Sequence, residues 1–142
     1  MATQYYYCTH CDKKFSIALR LFDTLYDLSS TNPQDCPICG GARELHVCLD
    51  FQLGVGGGDF KVMHAFLPKK LESWLGEDAQ EVTYYPFLVV LEPAGDSKPF
   101  YWMPYWHVTG KDARFGQHAL CLDHTQFESL VEQAQAKMFA AV

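Results

Sequence analysis

Four of the six cysteines fall in two pairs of the same form, Cys8-Thr-His-Cys11 and Cys36-Pro-Ile-Cys39, the second followed by Gly40-Gly41. Two Cys-x-x-Cys knuckles can offer four thiolates to one ion, and tetrahedral sulfur coordination is the geometry that structural zinc takes. The 24 residues from Asp12 to Asp35 separate the knuckles, a loop that closes easily. Pro37 stiffens the second turn, while Gly40 and Gly41 admit positive φ and let backbone N–H groups point at sulfur. With all four positions taken by cysteine no site is left for a reactive water, so Cys8, Cys11, Cys36 and Cys39 predict a structural centre. Sulfur geometry does not separate zinc from iron.

The remaining chemistry-bearing stretches are weaker. His118-x-x-Cys121-x-x-His124 has ligand types, but on a strand Cys121 points away from His118. Cys48 and Cys121 read as small side chains, Cys48 on the polar face of its strand. Gly54-Val55-Gly56-Gly57-Gly58 lacks the glycine that a dinucleotide fingerprint needs, because Asp59 stands there, and no Lys-Ser or Lys-Thr follows for a phosphate loop. It reads as a hinge. Nucleophile elbows, zincin helices and paired catalytic carboxylates are absent from the sequence. The aromatic run Phe100-Tyr-Trp-Met-Pro-Tyr-Trp-His107 is the other conspicuous feature. It predicts a strand broken at Pro104, with Trp102, Tyr105 and Trp106 as anchors for a protein partner and Lys111 and Arg114 beside them. Stacking of those rings on single-stranded bases is the competing reading.

These residues must be positioned by strands. Thr3 to Tyr7 suits a strand that delivers Cys8. Phe15, Ile17, Leu19 and Leu21 alternate with polar or small residues, predicting a second strand, and 23–35 reads as a polar loop leading to the second knuckle. Leu45, Val47, Leu49, Phe51 and Leu53 alternate with Glu44, His46, Cys48, Asp50 and Gln52, predicting a third strand with one buried face. Further on, Pro68, Leu71, Trp74 and Leu75 suggest a short helix stopped at Gly76. Residues 81–91 read as a strand disturbed by Pro86, and 117–122 as another. Thr125-x-x-Glu128 forms a capping box for a final helix, whose stripe Phe127, Leu130, Val131, Ala134 and Met138 should pack on the sheet.

The aromatics before Cys8-x-x-Cys11, Phe15, and Cys36-Pro-x-Cys39-Gly-Gly running into a strand together resemble the FmdB-type regulatory zinc ribbons, over roughly the first third of the chain. The likeness implies zinc and a regulatory role and no reaction. A more distant likeness to rubredoxin implies the alternative, a single iron serving electron transfer at the same four cysteines.

Composition bounds the rest. With 142 residues, 49% hydrophobic and 20% charged, the chain should fold as one ordinary domain or a metal-stapled module plus a modest second unit. Net charge is −6, and a four-thiolate zinc site adds about two negative units. The negative excess occurs on both sides of residue 53, −2 over 1–53 and −4 over 54–142, which disfavours a non-specific nucleic-acid binder. Met1-Ala-Thr-Gln4 shows no secretory signal, no apolar stretch is long enough to span a bilayer, and paired knuckles suit a reducing compartment, so the expectation is a soluble cytoplasmic protein. The fold expected is α+β: a three-stranded zinc ribbon over 1–53, a glycine-rich hinge over 54–59, and a small antiparallel sheet with two helices over 60–142. The function expected is a non-enzymatic zinc-binding regulatory protein that contacts a protein partner or a second copy of itself. A nucleic-acid-binding ribbon is the runner-up.

Overall fold

The computed structural model describes residues 3–16, 21–30, 38–41, 43–49, 58–93, 98–110, 112–116 and 120–138. The chain begins with β1 (Thr3–Cys8) and β2 (Lys13–Ser16), then α1 (Leu21–Ser30), β3 (Arg43–Leu49), β4 (Gly58–Phe66) and β5 (Ser73–Leu75). It continues through β6 (Glu81–Pro86), β7 (Leu88–Pro93), β8 (Phe100–Met103), β9 (Tyr105–Thr109), β10 (Asp112–Phe115) and β11 (Leu120–Asp123) to the last helix, α2 (His124–Met138). Seven strands form one sheet in the order β11-β8-β7-β4-β3-β1-β2, and four form another in the order β10-β9-β6-β5. Every pairing is antiparallel. The mixed α+β class expected from the sequence is therefore present, as mostly antiparallel sheet with two helices.

The two sheets are joined at a corner. β6 gives way to β7 at Phe87, and β8 to β9 at Pro104, so each long aromatic-rich segment leaves one sheet and enters the other. Strands that switch sheets at a bend are the usual way to turn such a corner. Proline suits it because it has no N–H to give to a ladder. Phe87 N–H donates to the Pro104 carbonyl at 2.9 Å, which ties the two bends together.

The core lies between the sheets and under α1. Leu45 and Val47 of β3, Phe60 and Val62 of β4, Val89 and Leu91 of β7 and Trp102 of β8 are all buried. Phe22 of α1 enters the corner, 5.0 Å from the Tyr85 ring, 5.8 Å from Trp106 and 6.1 Å from Phe87.

Several local expectations change. β3 alternates as predicted, with Leu45 and Val47 buried and Glu44 and His46 half-exposed. Its neighbour β4 pairs with it from Leu45↔Val62 to Leu49↔Gly58. Residues expected as two units, 1–53 and 60–142, thus share one sheet and one core, because the strand after the glycines folds straight back on the strand before them. Of the expected hinge, 54–57 lie outside the described residues.

The strand expected over 15–21 is present as far as Ser16 (17–20 lie outside the described residues), Leu21 instead begins α1, and 23–30 of the loop expected over 23–35 are helix. Leu21, Phe22, Leu25 and Leu28 share a helical face, and burying that face on the core outweighs the alternation seen upstream. Of the two helices expected in the second unit, the one at 68–76 is extended chain containing β5. Trp74 and Leu75 are exposed there, so their helical spacing had no core to cover. Gly76 instead turns β5 into β6, its N–H bonded to the Gln80 carbonyl at 2.8 Å.

The final helix forms, but it begins one residue before Thr125, and of its expected stripe Phe127 meets the sheet, stacked on Tyr101 of β8, while Leu130, Val131, Ala134 and Met138 are exposed. Among the described residues no helix is long and apolar enough to cross a membrane.

Candidate metal centre

The site is built from the end of β1 and the turn before β3. Cys8 is the last residue of β1, paired with Lys13 of β2 on one side and Arg43 of β3 on the other. The chain reverses tightly after it: Asp12 takes a φ of 60°, and its N–H donates to the Cys8 carbonyl at 2.9 Å. That reversal brings Cys11 back beside Cys8. Tyr7 braces the turn through a hydrogen bond from its hydroxyl to the Asp12 carboxylate, and its ring meets His46 edge-on at 5.9 Å.

The second knuckle approaches from the β3 side. Gly40 takes a φ of 73°, which turns the chain, and Gly41 N–H then points at Cys39 Sγ at 3.4 Å. A Cβ at Gly41 would lie 2.9 Å from His10 Cβ and 3.3 Å from Cys39 Sγ. The two turns are therefore in direct contact, and glycine is what permits the approach.

The Sγ atoms of Cys8, Cys11 and Cys39 all lie within 4.8 Å of one another, with Cys8 to Cys39 at 3.4 Å. Cys8 is buried, Cys11 half-buried and Cys39 exposed. Three cysteines so placed can hold a metal ion. The Cys11 N–H directed at Cys8 sulfur lowers the Cys8 thiol from its ordinary value, with burial opposing and hydrogen bonds from Cys39 and His10 adding to the effect. That favours the thiolate a metal requires. Cys36, the fourth residue expected here, lies outside the described residues.

Beside this centre Glu44 of β3 bridges His46 and Lys61 of β4, each at 3.1 Å. Burial raises the Glu44 carboxyl, but the hydrogen bonds from His46 and Lys61 outweigh it and hold it below its usual value.

The residues expected to meet a partner are divided by the corner. Trp102 and Trp106 are 1% and 5% exposed and belong to the core, so they cannot anchor a partner. They face inward because β8 and β9 each turn one side to the space between the sheets, and the largest apolar rings fill it. Tyr105 and Arg114 are on the opposite, outer face of the four-stranded sheet, and Lys111 lies outside the described residues. Arg114 pairs with its neighbour Asp112 at 3.4 Å in full solvent.

The sequence reading missed the other members of that outer face. Trp74, Tyr84 and His107 join Tyr105 there, with ring centroids 5.6–5.8 Å apart. The signal was available in the two-residue spacing of Tyr105 and His107, once Pro104 is taken as the start of a new strand.

His118 of the expected His-Cys-His stretch lies outside the described residues. Cys121 is buried against the core, which pushes its thiol up to about 11, and His124 Nδ1 meets the Tyr101 hydroxyl at 3.0 Å while Nε2 meets Glu128 at 3.0 Å. No protein-family model, curated protein or solved structure matches this chain.

Proposed function

We propose that this chain is a non-enzymatic, zinc-stapled binding protein, in which Cys8, Cys11, Cys39 and Cys36 hold one structural zinc ion. The convergence of three thiols from two separate knuckles carries this reading. Zinc–sulfur bonds of about 2.3 Å arranged tetrahedrally set sulfurs about 3.8 Å apart, close to the spacing seen here. Cys36 enters as fourth ligand because its Cys-x-x-Cys spacing mirrors that of Cys8 and Cys11. A site filled by four thiolates fixes structure and leaves the ion no position for substrate.

The ion would fasten the β1–β2 hairpin to the approach to β3, at one end of the seven-stranded sheet. Recognition then belongs to the aromatic outer face of the other sheet, where Trp74 is exposed and Tyr84, Tyr105 and His107 are half-buried, since tryptophan and tyrosine are favoured anchors at protein interfaces. The chain's acidity favours a protein there over nucleic acid. A regulatory role in a reducing, cytoplasmic setting fits thiols kept reduced for metal.

Elemental analysis of the purified protein tests the reading. One zinc per chain is expected, lost in Cys11→Ser and in Cys36→Ser. Metal-free protein with unchanged stability, or coloured protein carrying iron, would overturn it.

A further inference from the structure

Tyr84 and Tyr105 belong to two surfaces at once. They are part of the aromatic outer face of the four-stranded sheet, and with Phe66, Pro68, Met103 and Phe127 they line an open cleft of about 530 Å³ over the corner. Trp74 and His107 extend the same surface away from the cleft, ring against ring at 5.6 Å. Phe66 is 53% exposed and Trp74 46%. Several of these rings are held in place before anything binds. A Cβ at Gly116 would overlap the Tyr105 ring, which therefore lies against bare backbone, and Gly116 N–H donates to the Tyr105 carbonyl at 2.8 Å. Tyr84 N–H donates to the Glu72 carbonyl at 2.8 Å, and Phe127 is stacked on Tyr101. Rings fixed in advance lose little freedom when a ligand packs on them.

The chemistry of the surface selects what fits it. An added β-strand does not, because β6 lies between β5 and β9, and β9 between β6 and β10, so their ladders are already paired. A helix satisfies its own backbone and gains nothing from hydrogen-bond donors set among rings. A polyproline II segment has no internal hydrogen bonds, and its prolines carry carbonyls but no N–H. It needs apolar rings that also donate. Trp74 supplies an indole N–H and Tyr84 a phenol O–H. Among the described residues the cleft lining holds no carboxylate or ammonium group for such a ligand to leave unpaired. Charge flanks the surface instead: Glu77 and Asp78 are exposed in the turn that follows Trp74, and Lys69 and Lys70 are exposed just after Pro68 at the cleft. The acidic turn favours a basic residue beside the prolines.

We propose that the surface formed by Trp74, Tyr84, Tyr105 and the adjoining cleft binds a proline-rich segment in the polyproline II conformation, with a basic residue of that segment at the Glu77–Asp78 turn. Aromatic-lined grooves take such segments because the ligand is extended beforehand and its rings pack on tyrosine and tryptophan faces. This partner chemistry rests on the reading of the aromatic face as the recognition surface, and the cysteine site plays no part in it.

Fluorescence anisotropy of a labelled peptide of about ten prolines ending in an arginine pair, titrated with the full chain, tests it, with zinc content measured on the same samples. Saturable binding is expected, weakened about tenfold or more by Trp74→Ala and by Tyr84→Ala. Trp74 stands exposed on an edge strand, so its variant should keep the wild-type thermal melt. Glu77→Lys combined with Asp78→Lys should weaken the arginine-tailed peptide about three- to tenfold at low salt and leave oligoproline without arginine unchanged. A peptide of equal length and charge with alanine and glutamine in place of proline should bind at least about tenfold more weakly. No binding by zinc-loaded protein, or binding that Trp74→Ala leaves intact, overturns the proposal. A helical peptide or an oligonucleotide that binds instead, and is lost in Trp74→Ala, overturns it while keeping this face as the recognition surface. Proline-dependent binding by metal-free protein upholds it and overturns the zinc reading alone.

Discussion

Phe87 N–H donates to the carbonyl of Pro104 at 2.9 Å, and this one bond joins the two places where the chain passes from sheet to sheet. Phe87 packs its ring edge-on against Trp106 at 5.5 Å and is itself buried. Trp106 follows Pro104 by two residues, so the backbone bond and the ring contact fix the same corner from opposite sides. The buried rings of both sheets depend on that angle.

Phe87→Ala should therefore destabilise the whole fold and not a single edge. Loss of a buried phenylalanine ring costs about 3–5 kcal/mol, a large part of the total stability of a domain this size. Urea unfolding followed by tryptophan fluorescence is the measurement. A loss under about 1 kcal/mol would mean that the corner collapses around the cavity and that Phe22 and Trp106 hold it without help.

Glu44 gives a defined acid limb. Its carboxyl is held below the usual value by His46 and Lys61, so the folded protein binds the proton less readily than the unfolded chain. The stabilisation is complete above the unfolded carboxylate range and is lost as pH falls through the lower folded value. Because Glu44 is still partly exposed, the gain is about 0.5 kcal/mol or less. Glu44→Gln should flatten stability against pH on the acid side while leaving the neutral and alkaline range nearly parallel to wild type. An unchanged acid limb in thermal melts would show that other carboxylates dominate it.

How far the sequence was legible follows from which forces are local. The paired knuckles could be read directly, because ligand type and spacing are properties of the chain, and Cys8, Cys11 and Cys39 do converge. Strand β3 was equally plain, since Leu45 and Val47 alternate with polar neighbours over a single buried face. The aromatic run was misread for a reason particular to it. Trp102 and Trp106 are four residues apart, yet Pro104 moves the chain into another sheet between them, and both rings end in one core. Periodicity within a run carries no information about a change of sheet. Trp74 failed differently: its helical spacing with Leu71 and Leu75 was real, but the segment lies at a sheet edge with nothing to bury that face.

The start of α2 offers a sharper test of cap chemistry. Asp123, not Thr125, caps the helix: its carboxylate accepts from Gln126 N–H at 2.8 Å, and the Gln126 side-chain oxygen accepts from Asp123 N–H at 3.1 Å. The box sits two residues earlier than Thr125 and Glu128 suggested, because β11 runs directly into the helix at Asp123 and Glu128 pairs with His124 instead. Asp123→Ala should cost α2 about 1 kcal/mol, and Thr125→Ala much less. Because α2 is peripheral, the effect belongs in amide exchange of residues 125–131 more than in the global melt. Equal exchange in the two variants would count against the assigned cap.

Metal removal should act on one end of the sheet. If the cysteines hold zinc, the ion ties the Cys8–Asp12 turn to the Cys39–Gly41 turn, which approach each other through the Cys8 and Cys39 sulfurs and the His10–Gly41 contact. β3 is secured independently by β4, with Leu45 and Val47 in the common core. Chelation should therefore speed amide exchange through 3–16 and 38–41, while β4, β7 and β8 keep their protection, because structural zinc binding is folding free energy only for the part it staples. Hydrogen exchange with and without a chelator reads this directly. Uniform loss of protection across both sheets would show that the hairpin and the core unfold as one unit, and no change at all would remove the metal from the account.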